Sequence, residues 1–313
     1  SVYAGDLQSP IFVAAGAVSQ STFHIEFGEP VTPDVDDYSC LPDRSISAVS
    51  ATDHTVRVEL AEPMAPGAEY ALYGRVHDRA GNSMKFITKL YGFNPAVPQL
   101  RINEFTTQGS GKHPDCVELF VETAGNLAGV CVYEGTDEEW EQRLVFPSLE
   151  VSPGDFVVVH FKPEGLPGEV DEVSNPAVSD GYDTSDTGWD FWVPQGEGLS
   201  GNNGVITVYA SPGGPLIDAV LYSNRTSTSD DRYAGFGSRR TLEQAEYLAA
   251  CGEWLTADER VRPEDAVNPD PSTGTRSICR VPGPDTNGKD DWYVVPTRGV
   301  TFGLPNVLER YTP

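Results

Sequence analysis

Three observations predict an all-β fold built as two β-sandwiches in tandem. Short runs of alternating or wholly apolar residues recur at roughly the 8–12-residue spacing of sandwich strands. Turn formers punctuate them, with 31 Gly and 25 Pro among 313 residues. Asn94-Pro95-Ala96-Val97-Pro98 then divides the chain into two sets of such strands, a short, stiff linker that predicts a preferred domain orientation.

The first domain is predicted over residues 1–95. Its strands read SVYAG, IFVAAGAV, TFHIEFG, SISAVSA, HTVRVELAEPM, EYALYGRVHD and MKFITKLYGF. Alternation is plainest in Thr55-Val56-Arg57-Val58-Glu59-Leu60, and Pro66-Gly67 and Ala80-Gly81-Asn82 mark turns. The second domain is predicted over 96–313, with strands near 100–106, 116–122, 128–133, 143–146, 155–161, 204–210 and 216–222. Asp155–Phe161 is the most apolar of these, as an interior strand requires. Two insertions interrupt the pattern, near 162–200 and 238–275. The second holds one predicted helix, Thr241–Ala250, with Thr241 as N-cap, Gln244 completing a capping box and Gly252 as the stop.

Two stretches resemble known families. VELAEPMAPGAEYALYGRVHDRAGN resembles bacterial Ig-like modules through Pro66, Gly67, Tyr70, Asp78, Gly81 and Asn82. LRINEFTTQGSGKHPDCVELF at Leu100–Phe120, GNLAGV at Gly125–Val130, Asp218 to Tyr222, Ser277 to Arg280, Asp285-Thr286-Asn287 and GVTFGLPN at Gly299–Asn306 resemble the lamin-tail domain. That resemblance covers roughly Gln99–Asn306. It implies an Ig-like β-sandwich of the kind found in nuclear lamins and in secreted bacterial proteins, and structural rather than catalytic roles for the motif residues.

Formal charge is -26, from 21 basic and 47 acidic residues, which disfavours nucleic acid and anionic membrane surfaces as partners. No apolar run reaches the ~20 residues of a membrane-spanning helix. Ser1 in place of an initiator Met leads us to expect a removed leader, of signal or lipoprotein type. Five cysteines lack metal-ligand spacing. Cys116 with Cys131 and Cys251 with Cys279 are candidate disulfides, leaving Cys40 over, and reduced core thiols are the alternative.

Catalytic motifs are absent: His24, His54, His77, His113 and His160 are scattered, and no nucleophile elbow or phosphate loop occurs. The first insertion is the candidate binding element. From Pro163 through Asn224 there are ten acids and no Lys or Arg, and Ser179–Trp192 interleaves four aspartates with four aromatics. Tyr182, Trp189 and Trp192 are therefore the candidate ligand-binding residues, for a protein or glycan, unless Trp189, Phe191 and Trp192 pack the loop down. Asp180, Asp183, Asp186 and Asp190 could wrap calcium only by converging, so no metal and no cofactor is assigned. The expectation is a non-enzymatic secreted or cell-envelope module for binding, adhesion or structure. The alternative is a targeting module accompanying an extracellular nuclease or phosphatase.

Overall fold

The computed structural model describes residues 6–313, so the expected strand SVYAG lies outside the described residues. The first domain comprises β1 (Phe12–Ser19), β2 (Thr22–Phe27), β3 (Thr32–Pro33), β4 (Ser39–Leu41), β5 (Ile46–Thr52), β6 (Thr55–Leu60), β7 (Glu69–His77) and β8 (Ser83–Tyr91). One sheet has the order β1-β2-β6-β5, and the facing sheet is built on β7, paired to β8 on one side and to β3 and β4 on the other. The period-2 pattern decides which residues meet between them. Phe23 and Ile25, Val56 and Val58, Tyr70, Leu72 and Val76 are all essentially without exposure, while their neighbours face water.

The second domain contains β9 (Leu100–Phe105), β10 (Cys116–Val121), β11 (Gly125–Asn126), β12 (Cys131–Gly135), β13 (Trp140–Val145), β14 (Glu150–Val151), β15 (Phe156–His160), β16 (Trp189–Trp192), β17 (Asn203–Tyr209), β18 (Leu216–Ser223), helix α1 (Arg239–Cys251), β19 (Ile278–Arg280) and β20 (Trp292–Val294). A six-stranded sheet, β16-β15-β10-β9-β19-β20, packs on a four-stranded sheet, β13-β12-β17-β18. Leu119, Val157, Val159 and Phe191 from the first meet Val132, Val205, Ile206 and Val208 from the second. All-β sandwich architecture thus holds in both halves.

Three expectations change. The insertion near 162–200 is not a pure loop: its Trp189–Trp192 segment joins the sheet as β16, parallel to β15. The helix begins earlier, because Ser238 is the N-cap, its Oγ accepting from Thr241 N at 3.1 Å. Gln244 does not close a capping box and instead donates to the Glu139 carbonyl at 2.8 Å. Gly252, at φ 79°, ends the helix as expected. The cysteines are all free. Cys116 and Cys131 cannot bridge, because each lies on the outer face of a different sheet with the core between them.

The two cores meet across the linker, with Phe93 packed on the first and Val97 on the second. Asn94 Nδ2 donates to the carbonyls of Asn126 (2.7 Å) and Ala128 (3.0 Å). Beside them Gly67 and Gly129, both left-handed at φ 69° and 84°, touch backbone to backbone. A methyl on Gly67 would fall on Gly129 N. Gly81, at φ 92°, has open space where its Cβ would be. Both substitutions to alanine incur left-handed strain, but only the first also forces the domains apart. Gly67→Ala is therefore expected to cost at least about 1 kcal/mol more than Gly81→Ala in denaturant unfolding. Small-angle scattering should show a larger radius for Gly67→Ala alone, and equal effects of the two would disprove a rigid joint.

Candidate functional site

The outer face of the six-stranded sheet carries a row of polar side chains without exposure, Glu104, Glu118, His160, Asp190 and Ser277. In β9 the register against β10 slips by one residue, opposing Glu104 to Glu118 and then Ile102 to Leu119. This bulge lets Ile102 and Phe105 both enter the core while Asn103 and Glu104 both serve the outer face. The closing segment 299–306 lies over that face as a strap. Thr301 donates to Glu104 from its backbone N (2.9 Å) and its hydroxyl (2.6 Å), and Ser277 Oγ adds another hydrogen bond. Gly303 N donates to Glu118 Oε2 at 2.5 Å, and Asn103 Nδ2 donates to Glu118 Oε1 at 2.6 Å. Asn103 and Asn306 exchange amide hydrogen bonds, at 2.9 and 3.1 Å.

A second knot lies beside it. Arg280 Nε donates to the Ile102 carbonyl (2.6 Å), Nη2 to Asp218 (2.6 Å) and Nη1 to Asp285 (2.5 Å), with its guanidinium 4.5 Å over the Trp292 ring. Every charge there has a partner, as a buried ion requires. The motif residues scattered over some 200 positions of sequence thus share two adjoining clusters.

The acids of the first insertion serve its own backbone. Glu169 accepts from the backbone N–H groups of Glu164, Gly165 and Leu166. Glu172, wholly buried, accepts from Val178, Ser179 and Asp190. Asp190 turns to His160 and Asp183 to His113, and the four aspartates do not bring their carboxylates together into a cation-binding group. Among the described residues, the group able to surround a cation is instead Asp6, Glu29 and Asp78.

The three expected ligand-binding rings separate. Trp192 is a correction: it is 7% exposed, stacked 4.0 Å from His160, with its indole N–H on Ser179 Oγ. Its place on β16, beside His160 of β15, turns it inward against the sheet. Trp189 is half-buried against the main core, and Tyr182 is half-buried outside it. What sequence reading missed is the line behind Trp192. Cys116 Sγ stands 3.3 Å from His160 Nδ1, and His160 Nε2 stands 2.6 Å from Asp190 Oδ1, all without exposure. The only sequence signal was a histidine in the most apolar strand.

Burial raises the Glu104 carboxyl pKa and, together with the Glu104 charge opposite it, pushes that of Glu118 well up. Asp218 is raised to about 6, burial outweighing Arg280. The folded chain therefore keeps protons that the unfolded chain releases above about pH 4. The contribution of these groups must fall as pH rises from there, the Asp218 share being lost by about pH 6 and the two glutamates acting in the same direction. Glu104→Gln keeps the hydrogen bonds, its amide donating to the Thr301 hydroxyl, and removes one charge. Urea unfolding at pH 5, 6.5 and 8 should show a flatter decline for the variant, by about 1.4 kcal/mol for each proton and pH unit. Parallel curves would refute a raised pKa for the Glu104 carboxyl.

The TP_1001_2nd family, described as "protein second domain", matches residues 98–294. A curated relative from Treponema pallidum (strain Nichols), named "Uncharacterized protein", is 28% identical over 202 residues, 62% of this chain and 49% of its own. The chain thus spans about half the length of the curated relative it matches. Among solved structures, the N-terminal part of the bacterial S-layer protein SbsC is similar at TM-score 0.28 and 15% identity, over 37% of this chain and 41% of that chain. The S-layer protein rSbsC(31-844) is similar at TM-score 0.27 and 12% identity, over 69% and 41%. TM-scores this low establish neither shared fold nor shared function. The family match, by contrast, covers well over half of the sequence, and the chain belongs to the TP_1001_2nd family.

Proposed function

We propose that this chain is a rigid binding or structural module of a secreted or cell-envelope protein, its second sandwich lamin-tail-like, working without catalysis in its closed form. The observation that carries this is the joint at Gly67 and Gly129, where two sandwiches touch backbone to backbone and the linker is hydrogen-bonded to the second domain. Such a joint holds a fixed distance and angle, which suits a spacer that presents a rim to a partner. The partner class is protein or glycan, since a net charge of -26 repels nucleic acid and anionic lipid. Tyr182, half-buried and outside the main core, is the ring assigned to meet it.

The relative extends beyond the matched stretch, which makes up 49% of its length, and this favours a second reading, in which the module serves a larger protein, as a targeting domain beside an extracellular nuclease or phosphatase would. Fluorescence titration of the whole chain with soluble fragments of cell-wall glycan tests the first. Saturable binding that weakens about tenfold in Tyr182→Ala, the loss typical of one buried aromatic contact, is expected. The thermal midpoint should not move. Absence of saturable binding, or binding indifferent to Tyr182, would remove the glycan from the proposal.

A further inference from the structure

The polar line under the strap has the order that activates a cysteine. β10 sets Cys116 directly opposite His160 of β15, and β16 brings in Asp190 alongside. With its proton on Nε2, the imidazole donates to Asp190 and leaves Nδ1 to accept from the Cys116 thiol. Asp190 is held in turn by Ser185 N at 2.9 Å, and Trp192 stacks on the ring at an interplanar angle of 14°. Orientation of the base by a fixed third group is the geometry of thiol nucleophiles.

What covers the thiol is two residues of the strap. Cys116 and Val158 form an apolar cluster with Phe302, against which Val300 packs. The far side of Phe302 and Val300 lines a hollow of about 290 Å³ shared with His113, Asp183, Thr184, Thr275 and Arg298. Asp183 and Arg298 both hold left-handed backbone there, at φ 60° and 68°, strain of the kind that gathers at functional sites. A nucleophile, its base and a polar pocket are therefore separated by one phenylalanine and one valine.

We propose that Cys116, His160 and Asp190 are a masked thiol site for acyl transfer, opened when Val300–Phe302 lift, with ester or thioester substrates whose polar end sits among His113, Asp183 and Arg298. This goes beyond the scaffold role. Sulfur forms a bond to the carbonyl carbon as its proton passes to His160 Nδ1. The carbon–oxygen or carbon–sulfur bond to the leaving group breaks, and that group takes the proton from Nδ1. Water, deprotonated by the same nitrogen, then releases the acid and restores the thiol. In the closed form, burial first and then the charges of Asp183, Asp115, Asp190 and Glu104 hold the thiol protonated. His113, at the pocket, and His160 are the imidazoles facing the site, and lifting the strap admits water to all of these groups.

The test is alkylation of the full chain by iodoacetamide between pH 5 and 9, with each cysteine peptide quantified by mass spectrometry. Exposed Cys251 serves as the ordinary thiol in the same molecule. Phe302→Ala lifts the cover, and Asn306→Ala frees the strap end in case the first variant does not fold. Cys116 should react at least roughly tenfold faster in either strap variant than in the unaltered chain, with a rate midpoint about one pH unit or more below that of Cys251. Adding His160→Asn should move that midpoint up to the Cys251 value. The strap variants should also release one burst equivalent of nitrophenolate from p-nitrophenyl acetate and carry the acetyl group on Cys116. A Cys116 that stays unmodified, that titrates like Cys251, or that takes no acetyl group overturns the proposal.

Discussion

The second sandwich depends on one constraint: two glutamates face each other across β9 and β10 on a sheet face that water does not reach. An antiparallel sheet ordinarily leaves that face solvated. Here the strap covers it, and the strap adheres because Glu104 and Glu118 present acceptors to Thr301 and Gly303 in a dry environment, where such hydrogen bonds are strong. The dependence is mutual. Without the strap the acids would lose partners, and without the acids a closing segment with few apolar anchors would fray. Gly303 is part of the fit, since at φ 77° it lies against Gly188 and Ser185 of the first insertion. Strap, sheet and insertion therefore close together.

Closure of that face makes the insertion ordered despite its charge. A segment with nine acids and no basic residue between positions 163 and 200 should repel itself open. It folds because the carboxylates take backbone N–H groups as partners, three each at Glu169 and Glu172, leaving few bare donors in the loop. Glu172, accepting from Asp190 N, also holds the Trp189–Trp192 strand that pairs with β15 and carries Asp190 to His160. Scaffold and candidate chemistry thus have a common origin in how the loop satisfies its own backbone.

Strand positions were legible along the chain because alternation of apolar and polar residues, as in Thr55–Leu60, and short apolar runs bounded by turn residues, as in Asn203–Tyr209, are local patterns. Tyr70 in the core and Gly81 in a left-handed turn were equally local matters. The helix existed where its pattern lay, yet its cap was misplaced, because Ser238 and Thr241 are both good caps and their mutual hydrogen bond selects the earlier one. The disulfides failed for a non-local reason: sequence proximity of Cys116 and Cys131 says nothing about which sheet face each side chain takes.

By itself, then, the sequence determined the all-β class and most strands, since these follow from residue periodicity and turn chemistry within windows of a few residues. Tertiary structure alone decided that the motif glutamates would be buried under a strap, that Trp192 would stack inward, and that Cys116, His160 and Asp190 would stand in line. Those residues are separated by 44 and 30 positions. Only the pairing of β10, β15 and β16 brings them within hydrogen-bond reach, and pairing is set by the burial of whole sheet faces rather than by any residue's own preference.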